Sequence, residues 1–321
     1  MKLLSWIRVY AAPLLVVALA GCGQPAPDDS GSPEGPGILR VTCTIGMISD
    51  VAREIGGEYV AVTGLMEPGV DPHLYKASQG DLARLGEADV ILYNGLHLEG
   101  KMTDILVKMA SRTPTYAVTE GIDPDLLREP PEFAGAYDPH VWFDVSLWQQ
   151  VATRIHEILV EHQPLHRAYF DGRAAAYQQK LGELHRYARE RIATIPDDHR
   201  ILVTAHDAFG YFGQAYGMEV VGIQGISTSS EYGLQDLNRL VSMLVERKVK
   251  AVFVESSVPR RSIEALIAGA AGEGHTVRLG GELYSDAMGE AGTPAGTYAG
   301  MVQHNVDTIV EALTSDGANS G

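Results

Sequence analysis

Cysteine is nearly absent: the 321 residues contain two, Cys22 and Cys43. Cys22 ends a segment of targeting type, so the folded part has no internal disulfide and must hold together by burial. Basic residues are also scarce, 25 Lys and Arg against 41 Asp and Glu, for a net charge of -16. No basic patch or arm survives that balance, which excludes nucleic acid as a partner held by charge. After the first segment no apolar run is long enough to span a bilayer. There is no P-loop, so the chain does not itself bind a nucleoside triphosphate in that way. His156-Glu157 continues into Ile158-Leu159-Val160 instead of a helical His-Glu-x-x-His, and no Gly-x-Ser-x-Gly elbow occurs. Those absences argue against a zinc peptidase and a serine hydrolase.

What is present starts with Lys2 and Arg8 ahead of an apolar run from Val9 to Ala20, the pattern of a secretory signal. Its ending, Leu19-Ala20-Gly21-Cys22, resembles the lipobox of bacterial lipoproteins. The resemblance implies a lipoprotein signal over 1–22 with Cys22 lipidated, and an exported, membrane-anchored protein in the periplasm or at the cell surface. An ordinary signal peptide with a chance cysteine is the plainer alternative. Residues 23–37 are rich in Gly, Pro, Ser and acids and read as a flexible tether. Cys43 falls in the apolar run Leu39 to Ile45, where a small buried hydrophobe is expected.

From Leu39 onward strand-like and helix-like stretches alternate. Leu39 to Ile45, Tyr59 to Leu65, Val90 to Tyr93 and Thr115 to Val118 are short β-branched or aromatic runs. Ser49 to Ile55, Ser78 to Leu85, Lys101 to Met109 and Val145 to Glu161 space their apolar residues as helices do. An acidic, proline-bearing loop, Gly121 to Tyr137, precedes the last of these. Pro164 suits a first helical turn and nothing firmly breaks the pattern before Pro196, which predicts a helix on the order of 40 Å despite Gly172 and Gly182. The alternation then resumes, with strands at Ile201 to Thr204, Val220 to Ile223, Ala251 to Glu255 and Thr276 to Leu279. Helices follow them at Phe209 to Tyr216, Gly233 to Glu246, Arg261 to Ala271 and Thr297 to Leu313. The expected fold class is α/β: two lobes, 38–162 and 196–321, each a mostly parallel sheet flanked by helices, joined by one long linking helix over 163–195.

Asp71-Pro72-His73 and Asp138-Pro139-His140 repeat one tripeptide. Proline stiffens the backbone just before each imidazole, and fixed histidines from distant parts of a chain suit a transition-metal site. His73, His140, His206 and Asp286 each lie beyond the carboxyl end of a predicted strand, where open α/β sheets bind ligands. Each also has a plainer reading: turn residues for His73 and His140, a hydrogen-bonded core histidine for His206, a helix N-cap for Asp286.

Five segments taken together resemble the metal-binding solute-binding lipoproteins of ABC importers, most nearly the TroA type. They are Asp71-Pro72-His73-Leu74-Tyr75, Asn94-Gly95-Leu96-His97-Leu98-Glu99, Asp138-Pro139-His140-Val141-Trp142, Thr204-Ala205-His206-Asp207-Ala208-Phe209-Gly210-Tyr211-Phe212 and Gly280-Gly281-Glu282-Leu283-Tyr284-Ser285-Asp286. The resemblance runs from Leu39 to Leu313. It implies that His73, His140, His206 and Asp286 hold one divalent ion in the cleft and that the linking helix is rigid. It further implies a monomeric receptor that captures zinc or manganese, with iron a third candidate, and delivers it to an ABC permease driven by a cytoplasmic ATPase.

Three imidazoles and a carboxylate suit tetrahedral Zn²⁺, whereas an Asp286 bound through both oxygens makes a five-coordinate site more acceptable to Mn²⁺ or Fe²⁺. Manganese-specific branches of the family typically carry glutamate where this chain has His206. Zinc-dedicated branches carry a histidine-rich loop where Gly121 to Tyr137 offers Asp123, Asp125, Glu129 and Glu132 but no histidine. Glu255 and Asp144 are candidates to orient the ligand imidazoles, or else capping and surface acids. His97 has no ligand role in the resemblance, and the remaining histidines read as solvated or structural. A catalytic zinc needs an open coordination position that four protein ligands close, so no enzyme is expected. The competing function is a surface adhesin that uses the metal to hold its lobes together.

Overall fold

In the computed structural model the described residues are 37–315, without Ala134 and Glu231. The signal segment with Cys22 and nearly all of the tether lie outside them. The first lobe opens with β1 (Leu39–Cys43), α1 (Gly46–Gly56) and β2 (Val60–Gly64), followed by α2 (Gln79–Glu87) and β3 (Val90–Tyr93). It closes with α3 (Thr103–Ala110), β4 (Thr115–Ala117) and α4 (Val145–His162). The four strands form one parallel sheet in the order β2-β1-β3-β4. Its centre is apolar on both faces: Val41, Cys43, Val90, Ile91 and Leu92 are buried, as parallel strands between helices require. Cys43 is the small buried hydrophobe expected, its thiol pushed up to about 12 by burial.

Local chemistry sets where the helices start. Ser78 and Asp81 form a capping box at α2, Asp144 accepts the Ser146 N–H at the start of α4, and Thr297 accepts the Gly300 N–H ahead of the last helix. The linking helix α5 (Arg167–Ile192) has 26 residues and is preceded by a 3-10 turn at Pro164–His166. It runs through Gly172 and Gly182, neither of which faces a close neighbour. It lies against α1 and α4 of the first lobe and against α6 (Gly210–Tyr216) and α9 (Tyr298–Thr314) of the second. No helix among the described residues is long and apolar enough to cross a membrane.

The second lobe adds β5 (Ile201–His206), β6 (Glu219–Gln224), α7 (Leu234–Glu246), β7 (Ala251–Glu255), α8 (Arg261–Gly272) and β8 (Arg278–Leu283). The strands form two parallel pairs, β5-β6 and β7-β8, with β5 beside β7. Two boundaries differ from the sequence reading. Strand β5 extends to His206, which is therefore its last residue and not a loop residue beyond it. Strand β8 lies at Arg278–Leu283 and not at 276–279, continuing through Gly280 and Gly281. Those glycines are required there: a Cβ on Gly280 would stand 2.5 Å from the Phe253 ring, and Gly281 has φ 137° at an irregular step of the β7-β8 ladder. One hydrophobic core reaches from β1 and α1 through α4 and α5 to Phe209, Phe212 and Tyr298, and a second fills the sheet of the C-terminal lobe.

Candidate metal centre

The site is assembled at strand carboxyl ends. His73 stands in the irregular stretch between β2 and α2, His140 between β4 and the turn Val141–Phe143, His206 at the tip of β5, and Asp286 three residues past β8. All four are buried, at 5, 0, 0 and 1 % exposure. One nitrogen or oxygen from each lies within 4.8 Å of all the others. His73 Nε2 and His140 Nε2 are 3.2 Å apart, and the two Asp286 oxygens face His140 Nε2 and His206 Nε2 at 3.3 Å each. His206 Nε2 and both Asp286 oxygens have no hydrogen-bond partner. Buried polar atoms left in that condition are costly unless something else satisfies them.

The far side of two imidazoles is held by carboxylates. Asp138 Oδ1 accepts the His140 backbone N–H at 3.0 Å and Nδ1–H at 2.8 Å. Glu255 accepts the His206 N–H at 2.9 Å and Nδ1–H at 2.5 Å on its two oxygens. Both arrangements aim Nε2 at Asp286 and, in the neutral ring, leave its lone pair free for an ion. Glu255 thus stands where the sequence reading put it. Asp144 takes the capping alternative: its carboxylate accepts Ser146 N–H and O–H at the head of α4, and Asp138 holds His140 instead. The reason is local. An aspartate two residues before a histidine, with proline between them, folds back on that histidine's own N–H, as Asp71 also does for His73 at 2.9 Å. That spacing, present in both copies of the tripeptide, was the available signal.

Electrostatics separate the three histidines. Burial pushes His73 down to about 3, with Asp286 only partly opposing it. For His140 burial acts in the same direction, but the carboxylates of Asp138 and Asp286 outweigh it and raise the group to about 9. His206 is likewise lowered by burial, but Glu255 and Asp286 outweigh it and hold the group well above its ordinary value. Asp286 is held well below the usual carboxylate range, because His206 and His140 overcome the effect of its burial.

Other parts of the recognised segments act as supports. Glu99 is buried and accepts the Thr44 hydroxyl and the Asn94 N–H, each at 2.7 Å, and Asn94 Nδ2 donates to the Pro139 carbonyl at 3.1 Å. His97, at φ 64°, is exposed and outside the cluster. His162 meets the Tyr116 hydroxyl and His166 stacks on Tyr59, both away from the site. Arg128, in the loop without histidine, was not picked out by the sequence reading. It reaches Asp138 Oδ2 at 2.6 Å, and its guanidinium lies 5.6 Å from the centre of the Tyr211 ring.

Two parallel-sheet lobes joined by one long helix, with buried histidines and a carboxylate at the sheet edges between them, define a helix-linked solute-binding protein. The chain belongs to the family described as zinc-uptake complex component A, periplasmic (ZnuA), whose model matches residues 41–312. It is 51% identical over 296 residues to the manganese-binding lipoprotein MntA of Bacillus subtilis, covering 92% of this chain and 95% of that protein. It is 46% identical over 308 residues to the zinc-binding protein TroA of Treponema pallidum, covering 95% and 98%. The solved structure of the periplasmic zinc-binding protein TroA from Treponema pallidum superposes with a TM-score of 0.85 at 48% identity, covering 87% of this chain and all of that one.

Proposed function

We propose that this chain is the extracytoplasmic receptor of an ABC importer, which captures one divalent transition-metal ion between its lobes and hands it to a membrane permease driven by a cytoplasmic ATPase. The observation that carries the reading is the buried set of His73, His140, His206 and Asp286, with one donor atom from each within 4.8 Å of the others and with His206 Nε2 and both Asp286 oxygens unpaired. Donors at about 2.0 to 2.2 Å from a shared ion stand about 3.3 to 3.6 Å apart in a tetrahedron, close to the 3.2 Å between His73 and His140 and the 3.3 Å from Asp286 to His140 and to His206. The family and the names of its members support the same reading.

The donors bear on which ions the site accepts. Three imidazoles favour Zn²⁺ in raw affinity. Asp286 turns one oxygen toward His140 and the other toward His206, which supports binding through both oxygens and five donors, an arrangement open to Mn²⁺ and Fe²⁺ as well. The reading is therefore a receptor for zinc and manganese, with iron third, and the relatives' names divide between the first two. The protein acts as a monomer, exported and held at the membrane by a lipid on Cys22. Four protein ligands leave no open position for a substrate, so the site binds and releases and does not catalyse.

The test is uptake of labelled zinc and manganese by cells lacking the chain, complemented with the wild type or with His140→Ala. Restoration by the wild type alone, and only when the permease is present, is the expected result. Uptake independent of the chain, alongside lost surface attachment, would favour the adhesin.

A further inference from the structure

The two Asp-Pro-His segments share a turn and differ in what the aspartate does next. In each, Oδ1 accepts the N–H of the histidine two residues on, at 2.9 Å for Asp71 and 3.0 Å for Asp138. Asp138 directs its other oxygen to Arg128, in its own lobe. Asp71 reaches out of its lobe: Oδ2 accepts the hydroxyl of Thr228 at 2.6 Å, from the loop that follows β6. That loop is braced from within, since Gln224 Nε2 donates to the Ser230 carbonyl at 3.2 Å and the Ser227 and Ser229 hydroxyls lie 2.8 Å apart.

The two histidine segments are also fastened to the second lobe in unequal ways. Around His140 the ties are buried and aromatic. Tyr211 donates to the Asp138 carbonyl at 3.0 Å, Trp142 Nε1 donates to the Ser285 carbonyl at 2.9 Å, and Tyr298 donates to the Trp142 carbonyl at 2.7 Å. All three rings belong to the core that runs through both lobes, so parting them means exposing that core. Around His73, among the described residues, the tie is the Asp71–Thr228 bond, between two half-buried residues with exposed Leu74 close by. A single bond at the solvent edge opens far more readily than a set of bonds locked under aromatic packing.

We propose that Thr228 is the latch of the cation site. Through Asp71 it holds the His73 segment against the second lobe, and when it lets go His73 leaves the ion first, while His140, His206 and Asp286 stay in place. Thr228 is a positioning residue: it touches no ion and acts on His73 through one carboxylate. The inference rests on the cation-binding reading above and adds to it which ligand moves and what restrains it.

The test is the rate at which Zn²⁺ leaves the purified protein into excess chelator, followed by stopped flow, for the wild type, Thr228→Val, Thr228→Ser and Asp71→Asn. A hydrogen bond to a carboxylate contributes enough that Thr228→Val, which keeps the shape and loses the hydroxyl, should release the ion about tenfold faster. Thr228→Ser should release it at the wild-type rate. In the Asp71→Asn background Thr228→Val should add little, because the carboxylate it grips is already altered. Wild-type release from Thr228→Val would overturn the latch, as would equal acceleration by Val and Ser, which would show a disturbed loop and not a lost hydroxyl. A wild-type protein that takes up no Zn²⁺ would overturn the cation site itself, and the latch with it, before any variant is compared.

Discussion

Glu255 holds His206 at two points, taking its backbone N–H on one oxygen and its Nδ1–H on the other. The ring cannot tilt without breaking a charge-assisted bond, and its Nε2 stays 3.3 Å from Asp286. Removing the carboxylate by Glu255→Ala is expected to weaken divalent-ion binding by about 10- to 100-fold, and Glu255→Gln by less, because the amide oxygen still accepts one bond. Competition against a chromophoric chelator measures both. Equal affinity in all three proteins would mean that the ring is held by packing alone.

Acid should displace the ion. His140 is raised to about 9 by Asp138 and Asp286, and His206 is raised by Glu255 and Asp286, so each holds a proton that a cation must displace. Affinity should therefore rise with pH by about tenfold per unit for each proton displaced, up to about pH 9. The ion-free protein has the opposite trend. A histidine raised from 6.5 to about 9 contributes stability that is fully present below pH 6.5 and lost as pH climbs through 9. Thermal unfolding with and without Zn²⁺ between pH 6.5 and 9 reads both slopes, and parallel slopes would contradict the assignment.

Gly210 leaves room for a side chain from the other lobe. A Cβ there would lie 1.2 Å from Arg128 Nη1, so Gly210→Ala must push the guanidinium away from Asp138. Because the displaced group is the far end of a flexible side chain, the fold should survive. Ion affinity should fall by about tenfold as Asp138 loses a partner and His140 its firm support. Unchanged affinity at an unchanged melting temperature would show that Arg128 has no part in the site.

Trp142→Phe tests the buried tie beside His140. The substitution removes the indole N–H and leaves the Ser285 carbonyl without it, for an expected loss of about 1 to 3 kcal/mol from the stability of the ion-free protein. Denaturant titration gives the value directly. No shift in midpoint would mean that the carbonyl finds another donor.

Much of this was legible in the sequence because it rests on local rules. Alternating apolar runs and helical spacing gave the order of β and α elements, and Val90–Tyr93 and Ala251–Glu255 are strands with the ends read for them. Strand β8 was read short because Gly280-Gly281 has the composition of a break. Its reason for being glycine, the ring of Phe253 close overhead, belongs to tertiary packing. The placement of His73, His140, His206 and Asp286 at strand carboxyl ends was also readable, since it follows from topology. What joins them was not. Arg128 meets Tyr211 across 83 positions and Thr228 meets Asp71 across 157, and no local pattern announces either pair. Asp138 lay within reach, two residues before His140, but an aspartate before proline is so ordinary in turns that it carries no signal of its own beside Asp144, four residues after that histidine.

The central claim is one ion on four named ligands. The most direct measurement is the stoichiometry and competitive affinity of the purified protein for Zn²⁺, Mn²⁺ and Fe²⁺, beside Asp286→Ala. The account predicts one ion per chain on the wild type, zinc bound most tightly with manganese and iron also accepted, and all three sharply weakened in the variant. A folded wild-type protein that binds no stoichiometric ion, or a variant that binds as tightly as the wild type, would contradict it.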